Sequence, residues 1–319
     1  MSWFDAAWRW YSANATVINP IGTFVGAVLG FTTAAILAWA GLKNARTAAR
    51  RHEEQTKADR QRRITESFSK ATEQLASEKI EARLGGIYTL ERISRESPDD
   101  YRVVMETLTA FVREHARWKE PDKIASDTSV NLYDDENSEA PQPEPATDVA
   151  AVLAVINRRD YPNPLEGVVD FRGCDLRGAF LGGTHLERTL LWRTHLEGAM
   201  LGDAHLEGAN LMGAHLEGAM LGDAHLEGAN LVGAHLEGAN LSKGHLEGAD
   251  LGAAHLEGVN LSETRLEGAD LGAAEGLVQD QIIRASGNSG TILPGGLKRP
   301  QHWTRATVTQ ATRCQSDPT

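Results

Sequence analysis

Hydrophobic and polar positions along this chain follow several rhythms in succession. From residue 171 to residue 271 a large apolar side chain stands at every fifth position. The series runs Phe171, Leu176, Leu181 and onward to Leu271, 21 positions without a slip. Two residues before each stands something small: Ala179, Ala199, Ala209 and Ala219, with Cys174, Thr184 and Thr189 as variants. Two residues after, glycine is common. Five is neither the period of an α-helix, about 3.6, nor that of a flat strand, about 2. Inside one unit the small residue and the leucine are two apart and share a face, as on a strand. Glycine then lets the backbone turn a corner. A single unit buries almost nothing, so copies must stack into a solenoid.

Upstream the rhythm is helical. Residues 43–82 are rich in Arg, Glu, Gln, Lys and Ala, and Ile64, Phe68, Ala71 and Leu75 form one apolar stripe. Gly85 and Gly86 precede Ile87, Leu90 and Ile93. "SPDD" at 97–100 reads as a helix start, with Ser97 as N-cap and Pro98 in the first position. Val104, Leu108, Phe111 and Val112 give the new helix its apolar face. A juxtamembrane helix and small helical unit are therefore expected over 43–118. Residues 119–147 contain "DDENSEAPQPEPAT" and read as an acidic, proline-rich linker. A short helix, roughly 149–159, follows Thr147 or Asp148 as cap and ends at "YPNP", so residues 148–164 are expected to cap the solenoid. "GLVQDQIIRAS" places a second cap within 275–303, and a polar, mobile tail is expected over 304–319.

The N-terminus has another pattern again. No charged side chain occurs between Arg9 and Lys43. As a helix, residues 21–42 would measure about 33 Å, against a hydrocarbon core of roughly 30 Å. Trp3, Phe4, Trp8, Trp10 and Tyr11 precede the stretch, and Trp39 lies near its other end, as interfacial aromatics would. Ala38-Trp39-Ala40 resembles a signal-peptidase site, but the apolar run is long and the segment before it is barely basic. The expectation is an uncleaved transmembrane helix over 17–42 in contact with membrane lipid, after a short extracytoplasmic stretch, 1–16. Lys43, Arg46, Arg50 and Arg51 follow the span and only Arg9 precedes it, which places the C-terminal region in the cytoplasm of a single-pass cell-membrane protein. Gly22, Gly26, Gly30 and Ala34 line one small-residue face. That face suits a homodimer contact, and it is also ordinary composition for a membrane helix.

Charge sharpens the picture of the solenoid. The 319 residues carry a net charge of −12. Residues 165–274 hold 17 acids against 6 bases, while the rest of the chain holds 27 and 26. Cys174 and Cys314 make neither a disulfide framework nor a zinc pattern.

The units "CDLRG", "ANLMG", "ANLVG" and "ADLGA" resemble those of the pentapeptide-repeat family, over about a third of the chain. The resemblance implies an all-β right-handed quadrilateral β-helix with four units, or twenty residues, to a coil. The segments 83–114 and 293–303 also resemble the flanks of bacterial membrane-anchored members. The full expected architecture is thus that solenoid over 165–274, a transmembrane helix and a small α-helical unit.

Units alternate between "xHLEG" and "AxLxx", so the chemical period is ten. On a four-sided coil, identical units then fall on opposite faces. One wall would stack His195, His215, His235 and His255 beside Glu197, Glu217, Glu237 and Glu257. The other would stack His185, His205, His225 and His245 beside Glu187, Glu207, Glu227 and Glu247. Successive coils would lie about 4.8 Å apart. These sixteen residues form the candidate interaction surface.

Catalysis needs different groups converging where water is excluded, and the repeat offers the same pair along a line. No catalytic residue, cofactor or metal is expected: ligands in a straight column converge poorly, and imidazole relieving a column of carboxylates is the simpler role. The acidic excess disfavours direct DNA binding. Some family members resemble duplex DNA and bind type II topoisomerases such as DNA gyrase, and the resemblance carries that alternative here. The main expectation is a non-enzymatic, membrane-anchored scaffold with an unknown cytoplasmic protein partner, a basic one by charge complementarity.

Overall fold

The computed structural model describes residues 3–119, 143–159 and 168–304, the side chains at 3, 4, 11, 15–31 and 34 excepted. The expected linker, the end of the first capping segment and the tail lie almost wholly outside these residues. The chain divides into two compact units, Met1–Glu66 and Ser67–Thr319.

Helix α1, Trp3–Leu75, fills the first unit and continues into the second. No proline or glycine occurs from residue 42 to its end, and pairs such as Arg62 with Glu66 at 2.9 Å add local support one turn apart. Among the described residues no helix is long and apolar enough to cross a membrane. This overturns the expected transmembrane helix over 17–42, and with it the single-pass placement, the cytoplasmic side and the lipid partner. Side chains of that stretch are described only at 32, 33 and 35–42. These run into a polar, exposed continuation from Lys43. The contact face of Gly22, Gly26, Gly30 and Ala34 lies outside the described side chains.

In the second unit, α2 (Ile80–Glu96), α3 (Pro98–His115) and α4 (Thr147–Asn157) pack on one another. Their shared core includes Ile87, Leu90, Leu108, Val112, Val152 and Ile156, all at most 1% exposed. The end of α1 joins them through Ala71 and Leu75, both buried. A Cβ on Gly86 would lie 2.7 Å from the Ala71 carbonyl oxygen, so glycine is what allows this approach. Ser97 closes the turn between α2 and α3 by donating from its hydroxyl to Asp100 Oδ2 at 2.6 Å. Helix α4 begins at Thr147, two residues before the expected start, because Asp148 is inside its first turn. There it is held at 2.6 Å by Arg83, with only 3% of its side chain exposed.

From Asp170 the chain winds with a register of twenty. His205 bridges His225, Asn210 bridges Asn230, and parallel bridges of the same offset run along the repeat. Coils are tied by main-chain hydrogen bonds such as Leu206 N–H to the His225 carbonyl, 2.6 Å, and His225 N–H to the Ala204 carbonyl, 2.8 Å. Every central apolar residue from Phe171 to Leu271 is buried, with the small residues packed between them. Where the small residue is threonine, its hydroxyl can still be satisfied inside: Thr194 and Thr264 donate to the carbonyls of Phe171 and Leu241 at 2.8 and 2.7 Å.

The all-β expectation fails in a specific way. Among the described residues no strand forms; each side of a coil contributes one isolated bridge residue, and the regular elements are helices. The turn is the reason. Every fifth residue from Gly173 to Gly268 has positive φ, near +60°. That reversal follows the apolar residue so closely that too few extended residues remain for a ladder. Glycine is the residue suited to this conformation, yet Arg188, Arg193, Asp203, Asp223, Lys243, Ala253 and Glu263 adopt it too.

The last coil is closed by its own continuation. Helix α5, Gln279–Arg284, is fastened by Gln281, whose Nε2 donates to the Val259 carbonyl at 2.8 Å and whose Oε1 accepts from Val278 N–H at 2.8 Å. Ser286 and Ile292 then add bridges to Arg265 and Asp270. Trp303, 2% exposed, donates from its indole to the Ala285 carbonyl.

Candidate functional site

The twenty-residue register stacks the histidines. His185, His205, His225 and His245 form one column, and His195, His215, His235 and His255 form another two sides away. Ring centroids along both columns are 4.4 to 4.7 Å apart. Most successive planes are within 14° of parallel, but His225 and His245 are splayed by 29°.

Each histidine of the first coils meets the glutamate two residues on. Nδ1 to Oε1 distances are 2.9 Å for His185–Glu187, 3.0 Å for His195–Glu197, 3.2 Å for His205–Glu207 and 3.1 Å for His215–Glu217. They lengthen to 3.3 Å at His225–Glu227 and 3.5 Å at His235–Glu237. An ionised carboxylate can only accept, so Nδ1 is the donor in each pair. The pattern shifts at the C-terminal end. His245 Nδ1 is 3.6 Å from Glu227 of the coil before and 3.9 Å from its own Glu247. His255 meets Glu275 at 3.5 Å in place of Glu257. Glu247 also lies 3.7 Å from Arg265, which occupies the next place in that column.

The second carboxylate oxygen behaves differently from the first. Oε2 of Glu187, Glu197, Glu207, Glu217, Glu227, Glu237 and Glu247 is buried and has no hydrogen-bond partner among the described residues. A buried acceptor left unmatched costs about 1–3 kcal/mol. Five His–Glu–His groups, from His185–Glu187–His205 to His225–Glu227–His245, bring three ligand-type atoms within 4.8 Å of one another.

The two remaining sides are milder. One carries Phe180, Met200, Met220, Asn240 and Asn260 in register, and Asn260 Nδ2 donates to Asn240 Oδ1 at 3.0 Å. The other carries Leu190, Asn210, Asn230 and Asp250.

The sequence reading missed the N-terminal end of the coil. Arg117 makes an antiparallel bridge to Cys174, and Trp118 N–H donates to the Gly173 carbonyl at 3.1 Å. Trp118 then caps the His195 column, with Arg177 4.8 Å from its indole centroid. Asp170 accepts from Arg172 at 2.7 and 2.8 Å and from Arg113 at 2.5 Å. Burial pushes the Asp170 carboxyl up, but the Arg172 hydrogen bonds and the Arg113 charge outweigh it and hold the group below its ordinary range. Asp175 follows the same balance with Arg177. Cys174 is buried between these acids, and burial pushes its thiol up to about 12. The available signal was arginine directly after the central apolar residue in the first two units, Arg172 and Arg177, and nowhere later.

A family model described as pentapeptide repeats matches the chain in eight copies, over stretches that include 170–208, 191–228, 209–248, 221–258 and 245–274. A pentapeptide repeat protein from Nostoc Pcc 7120 is 35% identical over 33% of this chain and 77% of that one, with a TM-score of 0.23. A pentapeptide repeat protein of the Arabidopsis thaliana thylakoid lumen is 32% identical over 34% and 74%, TM-score 0.21. QnrB1, a plasmid-mediated fluoroquinolone resistance protein, is 16% identical over 43% and 77%, TM-score 0.23. No curated protein matches the chain. The matched stretches coincide with the coil whose sides repeat every five residues, and the chain belongs to the pentapeptide-repeat family.

Proposed function

We propose that this chain is a non-enzymatic interaction protein whose two His–Glu columns form the surface read by a basic protein partner. One observation carries the reading: the same pair recurs coil after coil at a fixed spacing, on open walls. Catalysis would require unlike groups gathered in a water-excluding pocket. A regular row of carboxylates instead offers a partner several equivalent contacts in register, and charge complementarity speeds and selects such an encounter. Imidazole beside each carboxylate moderates the repulsion along the row.

The DNA-mimic form of this idea, with a type II topoisomerase as partner, has no separate observation in its favour. It enters as one outcome of the test.

Immobilised full-length chain should capture a defined set of proteins from a bacterial extract at low salt. A triple variant, Glu207→Gln, Glu227→Gln and Glu247→Gln, should lose them, and salt should weaken capture by the wild type. A topoisomerase among the lost proteins would give the partner. Equal recovery by both proteins would sink the reading and leave the walls as solubilising surface.

A further inference from the structure

We infer that the coil binds a borderline divalent cation of the zinc, cobalt or nickel kind between His225, Glu227 and His245. This goes beyond the protein-partner reading and does not depend on it. The sequence alone argues against a metal, because a straight column gives each ligand the same outward direction. Two features particular to this place, and one it shares with the other glutamates of the columns, change that.

The carboxylate reaches across two coils. Glu227 Oε1 lies 3.3 Å from His225 Nδ1 and 3.6 Å from His245 Nδ1, so it faces both imidazoles. At the N-terminal end the glutamates are committed to their own histidines, as with Glu187 at 2.9 Å from His185.

The rings are already out of parallel here. Parallel imidazoles point their lone pairs side by side, and a cation between them would have to tilt both. His225 and His245 differ by 29°, against 4° for His205 and His225 one coil earlier. Part of the tilt is therefore built in.

The site also has an unmatched acceptor, as the other column glutamates do. Glu227 Oε2 is buried and has no hydrogen-bond partner among the described residues. A cation held by this carboxylate would satisfy it as well. The donor set, two imidazoles and one carboxylate, suits a borderline metal and leaves a fourth position for water. Proton accounting is simple. A ring that ligates through Nδ1 carries its one remaining proton on Nε2, and any second proton leaves to solvent. His205–Glu207–His225 shares His225 with this group, so the two cannot fill together through the same nitrogen.

The test is a Co²⁺ and Zn²⁺ titration of the full chain by calorimetry, with visible absorption of the Co²⁺ form reporting coordination. We expect a saturable site with a visible Co²⁺ spectrum. Glu227→Gln and His245→Gln should each weaken it at least tenfold. His255→Gln, in the opposite column and outside every three-ligand group, should bind as the wild type does. Thermal melting in EDTA checks that each variant is folded before metal is added. Absence of a saturable site in the full chain would overturn the inference. So would binding unchanged in folded Glu227→Gln and His245→Gln, or equal weakening by His255→Gln.

Discussion

The indole of Trp118 lies 3.6 Å from the imidazole of His195, with the two planes 15° apart. A residue just beyond α3 is thereby the first member of a ladder that continues through His215, His235 and His255. The helical part of the second unit and the coil are joined by this stack and by the Arg117–Cys174 bridge beside it.

Replacing Trp118 with Ala removes the lid of the column. The expected loss is about 1–3 kcal/mol, less than for a fully buried tryptophan because the indole is only half-buried. Urea denaturation measures it. Hydrogen exchange should rise first at 173–178, and uniform protection across the coil would argue that the lid contributes nothing.

Asp170 gives a pH dependence whose sign is fixed. Its folded pKa lies below the ordinary 3.8, so its contribution is complete above that value and is lost as pH falls through the lower, folded value. Asp170→Asn should cost about 1–2 kcal/mol at pH 7, discounting for the half-exposed arginines. The gap between wild type and variant should narrow progressively as pH falls below 3.8. A constant gap from pH 7 to pH 2.5 would contradict the assignment.

The left-handed corner predicts opposite effects for two substitutions. Ala253 has φ of 54° with no polar side chain to help it, so Ala253→Gly should stabilise the chain. Gly228 has φ of +63° and open space around it, so Gly228→Ala meets no clash and suffers only the backbone penalty. Each change should amount to about 1 kcal/mol, read as shifts of the melting temperature in opposite directions. The same sign for both would mean that side-chain contacts dominate the corners.

Cys174 should resist thiol reagents while the coil is folded. With its thiol pushed up to about 12, the reactive thiolate is scarce at pH 8. In a Cys314→Ser background, alkylation should be about a thousandfold slower than for a free cysteine, and should become ordinary in denaturant. Fast native labelling would place the thiol at the surface.

The five-residue spacing was legible because one physical demand, a buried apolar side chain per side, is repeated 21 times from Phe171 to Leu271. The stacking of His over His followed from that spacing once the coil length was known. Strand content was not legible: glycine two residues after most of the leucines marked the corners, but not that only one bridge residue would pair on each side between them. Nor was the sharing of Glu227 between His225 and His245, which depends on rotamers that local pattern does not specify. Trp118 and Arg177 were missed for a different reason. Their partners lie far away in sequence, and a tryptophan after a helix looks the same whether or not it caps a column. The apolar N-terminal stretch was read from composition alone, without a folded context to set against it.

The coil repeats its geometry every twenty residues and its chemistry every ten. Loss or gain of one ten-residue segment would slide all later residues by half a coil, yet histidine would still fall over histidine and leucine over leucine. A chain longer or shorter by such a segment would still form a continuous coil. What changes is the clocking of its two ends, which turn by about half a revolution relative to each other at each step. Variants with different numbers of repeats would therefore fall into two alternating classes, odd and even, that display the same walls but present the helical end and the Trp303 cap on the same or on opposite sides.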